Sequence, residues 1–499
     1  MTIQPNRREL LQTSAFSVVP RHVLGGGGYV APSDKITLAC IGCGTQALNE
    51  ISGLLTNPDI RIVSVCDPNR LASGYRDWSP DGLLNSIRRL LKKPSWFAGA
   101  DATIPGGRDA TKDIVDTYYG NDAAAGCTSY ADFREMLAKE KDVAAVKIMT
   151  PDHLHGVACL AAMKHGKHIM LHKPIANRLL EGKAVIDGVR RTGVATHFLP
   201  WNSGNGMPQV MEWINQGAIG TLRAIHNWTN RPVWPQYTSL PAERPPVPRG
   251  FDWDLWLGPE AERPYHPDFT HMVFRGWYDF GAGTMADMGH YSLWSVFNAL
   301  ELSGPTVIEP MLSHHCALRD NAAYRIRNDF SFPTASMVRF KFPAKGQRGA
   351  VDLVWYDGGM KPATPEALDL EPKELPIEGM MFTGEKGFIL AGFRVESPRL
   401  FAAGKAPTPV APPARRQRAA REVNPGLQHW ITAARGGAAS PGSFLNAWPI
   451  TETVNLWGVA LRTGRRLLYD AANLRITNVP EANQYLARRY RPGWEPEAV

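Results

Sequence analysis

Three groups of residues in this sequence have types and spacings suited to chemistry at a hydroxyl carbon. The first, His172-Lys173-Pro174, closes an apolar run. A lysine partly withdrawn from water beside a bound cationic ring gives up its proton near neutral pH. Lys173 therefore suits the part of base or hydrogen-bond relay in hydride transfer from a secondary alcohol. Asp287, His290 and Tyr291 form the second group. An Asp and a His at i and i+3 of a helix over 285–300 share one face, where they would orient a substrate hydroxyl; Tyr291 adds a second polar contact or packs in the core. One carboxylate and one imidazole without further ligands at regular spacing are too few for zinc, and no metal site is expected. The third group, Gly42-Cys43-Gly44-Thr45-Gln46-Ala47, reads G-x-G-x-x-A. Gly42 permits a tight turn, Gly44 lets backbone approach a pyrophosphate, and Ala47 keeps the next helix close to its strand.

Such residues need elements to hold them. Ile36 to Ile41 is a β-rich apolar run directly before the glycine turn, and an amphipathic stretch follows it. A second apolar strand, Ile60 to Cys66, ends in Asp67, twenty-three residues after Gly44. That is near the spacing of a carboxylate on an adenosine ribose, and an acid there repels a 2′-phosphate. NAD is thus expected as cofactor, with Asn69 and Arg70 leaving NADP open. Strands are predicted over 143–149, 167–171 and 194–199, with helices through Lys164 and over 181–192. In such sheets ligands bind beyond the carboxyl ends of the strands, where Gly42, Asp67, Thr150, Pro151, His155, His172 and Lys173 all fall. His172 alternates to the opposite side of its strand from Lys173 and either packs there or meets the cofactor. The excursion from about 72 to 128 interrupts the alternation as an ordered insertion.

Farther along, Trp201 to Leu300 contains eight of the fifteen tryptophans. Aromatic faces mixed with Asn202, Trp228, Arg275 and Trp277 suit a polyol, whose C–H faces stack while its hydroxyls take hydrogen bonds. Such a lining also suits an oligomer interface. Strand-like runs over 336–342, 349–355 and 380–390, then a helix over 445–468, would build a second sheet and its cover.

With 499 residues, 44% hydrophobic and 20% charged, the chain calls for two domains plus appendages and excludes a disordered polymer. No apolar run nears the ~20 residues of a membrane-spanning helix. The net charge of +8 is scattered. Its densest knot, Lys405, Arg415, Arg416, Arg418 and Arg421, lacks aromatics for stacking bases, so no nucleic-acid partner is expected. Six cysteines are too few for a disulfide framework, and Cys40 and Cys43 read as small buried residues. Arg7-Arg8 before a short apolar segment resembles a twin-arginine export signal, and Gly25 to Gly28 reads as linker. Residues 1–33 are therefore expected to be signal and linker, with a periplasmic location; a cytoplasmic one is the alternative.

Taken together, the glycine turn, Thr150-Pro151 with His155, Lys173-Pro174 and Asp287-Met288-Gly289-His290 resemble the Gfo/Idh/MocA oxidoreductases, the glucose-fructose oxidoreductase and inositol dehydrogenase superfamily. The resemblance covers nearly the whole chain after about Ser33. It implies a doubly wound Rossmann domain over 34–200, followed over 201–499 by an α+β domain with an open-faced mixed or antiparallel sheet. It further implies a homo-oligomer acting on a sugar, cyclitol or glycoside with NAD or NADP. Where the family usually has Glu-Lys-Pro this chain has His172-Lys173-Pro174, and the family's usual histidine position, four after the Asp, is Tyr291. The triplet with Met285 to Trp294 resembles an exported branch of the superfamily. Two alternatives accompany plain dehydrogenation. One is redox-neutral glycoside cleavage by oxidation, elimination and re-reduction; the other is a non-catalytic NAD-binding regulator.

Overall fold

The computed structural model describes residues 34–75, 79–100, 104–120, 126–201, 205–368, 374–402, 425–496 and 499. The expected signal and linker over 1–33, the basic knot over 405–421 and Asn202 lie outside them.

In the first domain, strands and helices alternate as β1 (Ile36–Ile41), α1 (Thr45–Leu55), β2 (Ile60–Cys66), α2 (Pro80–Leu91), α3 (Gly107–Tyr119), β3 (Thr128–Tyr130), α4 (Phe133–Lys139), β4 (Ala145–Ile148), α5 (Asp152–Lys164), β5 (His168–Leu171), α6 (Leu179–Thr192) and β6 (Thr196–Phe198). Every pairing is parallel and the order is β3-β2-β1-β4-β5-β6, so the winding reverses at β1. Helices cover both faces, which is why β1, β4 and β5 are almost wholly apolar rather than alternating. Only part of 72–128 proves additional to the alternation: α3 is the crossover between β2 and β3, and the extra chain is the stretch before it, with α2.

The second domain runs α7 (Met207–Asn215), β7 (Leu222–Trp228), α8 (Trp253–Leu257), α9 (His290–Ala299), β8 (Val307–Leu312), β9 (Cys316–Arg319), β10 (Ala322–Arg325), β11 (Ser336–Phe342), β12 (Val351–Tyr356), β13 (Gly379–Gly384), β14 (Gly387–Ala391), β15 (Arg399–Ala402), α10 (Pro425–Ala434), α11 (Phe444–Thr463), β16 (Leu467–Asp470) and β17 (Arg475–Ile476). Nine strands form one mixed sheet, in which β7 and β12 are parallel and the other pairs antiparallel. The run expected as one strand over 380–390 is a hairpin, because Glu385-Lys386 turns the chain between two glycines. The helix expected over 445–468 ends at Thr463, where Gly464 takes a left-handed conformation (φ +62°) and Leu467 starts a strand.

One face of this sheet packs on α9 and α11 through Val338, Phe340, Leu353, Leu293 and Trp457. The chain then returns to the first domain. Leu427, Trp430 and Ile431 of α10 join the core under β1 and β2, and Arg435 pairs with Asp59 at 2.9 Å. The second domain is therefore not one continuous stretch of sequence.

Candidate active site

At the carboxyl end of β1 the chain must turn sharply under the backbone of β4. Gly42 does so with φ +92°, and a Cβ there would sit 2.6 Å from the Met149 carbonyl. No other residue fits that turn. Asp67, one residue past β2, accepts from the Cys43 and Asn69 amides at 2.7 Å each and from the Tyr75 hydroxyl at 3.2 Å. Burial pushes its carboxyl above the ordinary value, and these bonds oppose the rise. A cleft of about 790 Å³, open to solvent, runs from Gly42, Gly44, Thr45, Gln46 and Asp67 past Thr150 and Pro151 to Phe274 and Arg275.

Two buried polar atoms on that lining, Asn69 Oδ1 and Thr150 Oγ1, make no hydrogen bond to a described residue. A dinucleotide fits this lining: its hydroxyl and amide groups would satisfy the orphaned oxygens, and Asp67 lies on the same lining as the glycine turn, where the Tyr75 ring stands 3.2 Å from the place of a Gly44 Cβ. Gln46 also donates to Glu50 at 2.9 Å, below the cleft.

Lys173 leaves the end of β5 and is buried. Its Nζ donates to Asp287 Oδ1, and Arg275 Nε lies 3.3 Å from the same oxygen. Burial and the neighbouring Arg275 draw the lysine below its ordinary pKa, although Asp287 and Asp152 work against them. Lys173 and Arg275, with Arg231, hold Asp287 far below the usual carboxylate range despite its burial. Asp287 is a carboxylate throughout the neutral range. Arg275 reaches it from the cleft side, and Asp152, capping the Ala282 amide at 3.0 Å, backs the pair.

The stretch expected as a helix over 285–300 begins as a π-turn, Met285–Gly289, before α9. In this wider turn Asp287 and His290 no longer share a face. His290 is wholly buried: its Nδ1 lies 2.9 Å from the Ala286 carbonyl, its ring packs against Phe198, and burial lowers its pKa to about 3. The expected catalytic part for His290 is therefore corrected to a core histidine. Tyr291 turns to the site instead, with its hydroxyl 2.9 Å from His172 Nε2. Burial and the adjacent Lys173 hold His172 well below its usual pKa, so it is neutral and Nε2 can accept the tyrosine proton. Burial and Asp287 push the Tyr291 phenol up.

Other expected contacts change too. His155 is buried behind the cleft, with Nδ1 2.5 Å from the Pro174 carbonyl and Nε2 2.9 Å from that of Thr150, and so ties the two strand ends together. Trp228 is fully buried on the far face of the sheet, donating to the Pro376 carbonyl. Trp277 is buried in the aromatic cover, stacked on Tyr237 with centroids 4.1 Å apart. Neither tryptophan lines the cleft; each satisfies its indole N–H on a carbonyl and packs. Trp256 and Phe274 line it instead, together with Tyr75 and His271, whose rings meet at 4.6 Å. Tyr75, His271 and Arg394 carry no periodic or motif signal, because separate loops deliver them. Among the described residues no cluster of three or more metal-ligating side chains occurs, and no helix is long and apolar enough to cross a membrane.

Fold and cleft define a dinucleotide-binding protein with a Rossmann domain followed by an α/β substrate domain. Residues 112–198 match the oxidoreductase-family NAD-binding Rossmann model, and 210–306 match the oxidoreductase-family C-terminal alpha/beta model. Over these two segments the chain is similar to the Gfo/Idh/MocA oxidoreductases, and the first segment matches that family's NAD-binding domain. It is 31% identical over 114 residues to levoglucosan dehydrogenase of Pseudarthrobacter phenanthrenivorans, covering 21% of this chain and 29% of that one. With the dTDP-3,4-didehydro-2,6-dideoxy-alpha-D-glucose 3-reductase of Streptomyces violaceoruber it shares 29% over 102 residues, covering 20% and 29%. The matched segments thus span under a third of these relatives' lengths. In fold it is similar to the WlbA dehydrogenase of Bordetella pertussis, solved with NADH and UDP-GlcNAcA, at a TM-score of 0.50 and 14% identity over 87% of this chain and 99% of that one.

Proposed function

We propose that the protein is an NAD-dependent oxidoreductase acting on a hydroxyl of a sugar, cyclitol or glycoside. The observation that carries this reading is the buried Lys173–Asp287 pair, which lies against Arg275 on the lining of a cleft that begins at the glycine turn. Bound nicotinamide supplies the acceptor for a hydride from the hydroxyl carbon, whose C–H bond breaks as its C–O bond becomes a carbonyl. Lys173, depressed by its surroundings, takes the hydroxyl proton. Asp287 stays ionised, fixes the lysine and compensates the charge it gains. Replacing the lysine is the direct test: Lys173→Ala should lower kcat by about a thousand-fold or more while NAD still binds in a calorimetric titration. Full turnover by that variant would sink the reading.

The Tyr291–His172 pair favours a second reading. Elimination of an aglycone needs an acid or base besides Lys173, and this pair stands beside it. Release of nitrophenol from a nitrophenyl glycoside with catalytic NAD and no NADH accumulation would favour redox-neutral cleavage; stoichiometric NADH would exclude it. Export rests on Arg7-Arg8 alone. A fusion of residues 1–33 to a periplasm-dependent reporter should be exported, and the same fusion carrying both Arg7→Lys and Arg8→Lys should stay inside.

A further inference from the structure

We infer, resting on the oxidoreductase reading above, that the substrate is an anionic sugar whose carboxylate or phosphate is held by Arg275 and Arg394. Arginines buried or half-buried around the junction of the two domains are matched to carboxylates: Arg488 to Glu181 at 2.7 Å and Arg263 to Asp279 at 2.7 Å, with Arg178 3.4 Å from Glu260. Arg275 departs from this pattern, and the exposed Arg394 stands close to it over Tyr291.

Arg275 lines the cleft with its side chain 19% exposed. Its guanidinium lies over the Phe274 ring, 4.5 Å from the centroid, and approaches Asp287 only through Nε. That Nε is buried and too poorly aligned to hydrogen-bond, and neither terminal nitrogen donates to a described residue. Asp287 is already engaged by Lys173, so the fork of Arg275 remains unused. Arg394 follows β14 and is exposed. Its guanidinium stands 4.7 Å from the centroid of the Tyr291 ring and has no carboxylate partner among the described residues. Asp287 and Tyr291 lie four residues apart along the π-turn and the start of α9, so Arg275 on the one and Arg394 on the other flank neighbouring side chains.

The charge balance there points the same way. Lys173, Arg275 and Arg394 face Asp287 and Asp152, while Glu50 is taken up by Lys147 at 2.7 Å. Among the described residues the cations there outnumber the carboxylates, before a nicotinamide cation adds to the difference. A neutral polyol closing this cleft would strip water from an unpaired guanidinium, which is costly. A carboxylate or phosphate would instead take two parallel N–H donors in the geometry an arginine fork offers. Drawing Arg275 towards it would also leave Asp287 Oδ1 with one neighbour fewer, free to accept from the substrate hydroxyl.

The test is calorimetric titration of the NAD-saturated full chain with matched sugars: D-glucose, D-glucuronate and D-glucose 6-phosphate, and the corresponding galactose series. At least one anionic member should bind about ten-fold or more tightly than its neutral counterpart. That ratio should fall towards one in Arg275→Gln and in Arg394→Gln; the latter residue is exposed, so its variant reports even if the former fails to fold. Comparing uronate with phosphate decides which anion the arginines hold. Neutral sugars binding as tightly, no anionic sugar binding, or a ratio that survives in both variants would overturn the inference and leave the oxidoreductase reading standing. Failure of the chain to bind NAD would overturn both.

Discussion

His290 and Tyr291 are neighbours in sequence with opposite surroundings: one imidazole is sealed among Ala286, Phe198 and Thr451, while the next side chain meets His172 at the proposed reaction centre. Replacing each therefore has a different signature. Tyr291→Phe should cost about ten- to hundred-fold in kcat with little change in stability. His290→Ala should cost about 2–4 kcal/mol in urea unfolding, from the cavity and the lost bond to Ala286, with the smaller loss of turnover. Steady-state rates and denaturation midpoints on both variants separate the two parts; the reverse pattern would reassign them. Lys173 and Asp67 follow the ends of β5 and β2, as the apolar runs before them indicate, and Asp287 was singled out by its spacing to His290. Arg394 and Tyr75 were not, since nothing in a loop's local sequence encodes where it will be laid down.

At the scale of elements, the site depends on two departures from regular geometry. The first is the glycine turn, which the sequence declares openly. Gly42→Ala would force a Cβ against the Met149 carbonyl at 2.6 Å in a left-handed conformation. A loss of about 2 kcal/mol or more in stability and over ten-fold in NAD affinity is expected, the latter read by calorimetry. The second is the π-turn Met285–Gly289, which rotates Asp287 towards Lys173 and His290 away. Helical periodicity predicted a single regular helix there. A one-residue widening leaves almost no trace in composition, because its stabilisation comes from the ion pair made across the domain boundary.

Across the whole molecule, the C-terminal tail ties the halves together. Arg488 is buried and donates to Glu181 of the first domain and Glu260 of the second. Arg488→Ala would strand two buried carboxylates, and a loss of about 3–5 kcal/mol in unfolding free energy is expected. Acid should weaken the fold as well. Burial lowers His153 and His290 to about 3 and His197 and His226 to about 4. The unfolded chain, with histidines near 6.5, binds these protons first. Their contribution is therefore fully present above about pH 6.5 and is lost as pH falls towards the folded values, at about 1.4 kcal/mol per histidine per pH unit. Asp357, pushed up to about 6 by burial, offsets part of this loss. Unfolding midpoints measured between pH 7.5 and 5.5 should fall; a flat profile would contradict the burial of these rings.

The sequence by itself determined the nucleotide half, because a parallel sheet writes its strands as apolar runs, its turns as glycines and its ligand groups at strand ends, all within short windows. Tertiary structure alone decided which residues of the second half reach the centre. Arg275, Asp287 and Tyr291 come from one short stretch while Arg394 arrives on a loop a hundred residues on, and their approach is set by how the mixed sheet, α11 and the returning tail pack against one another.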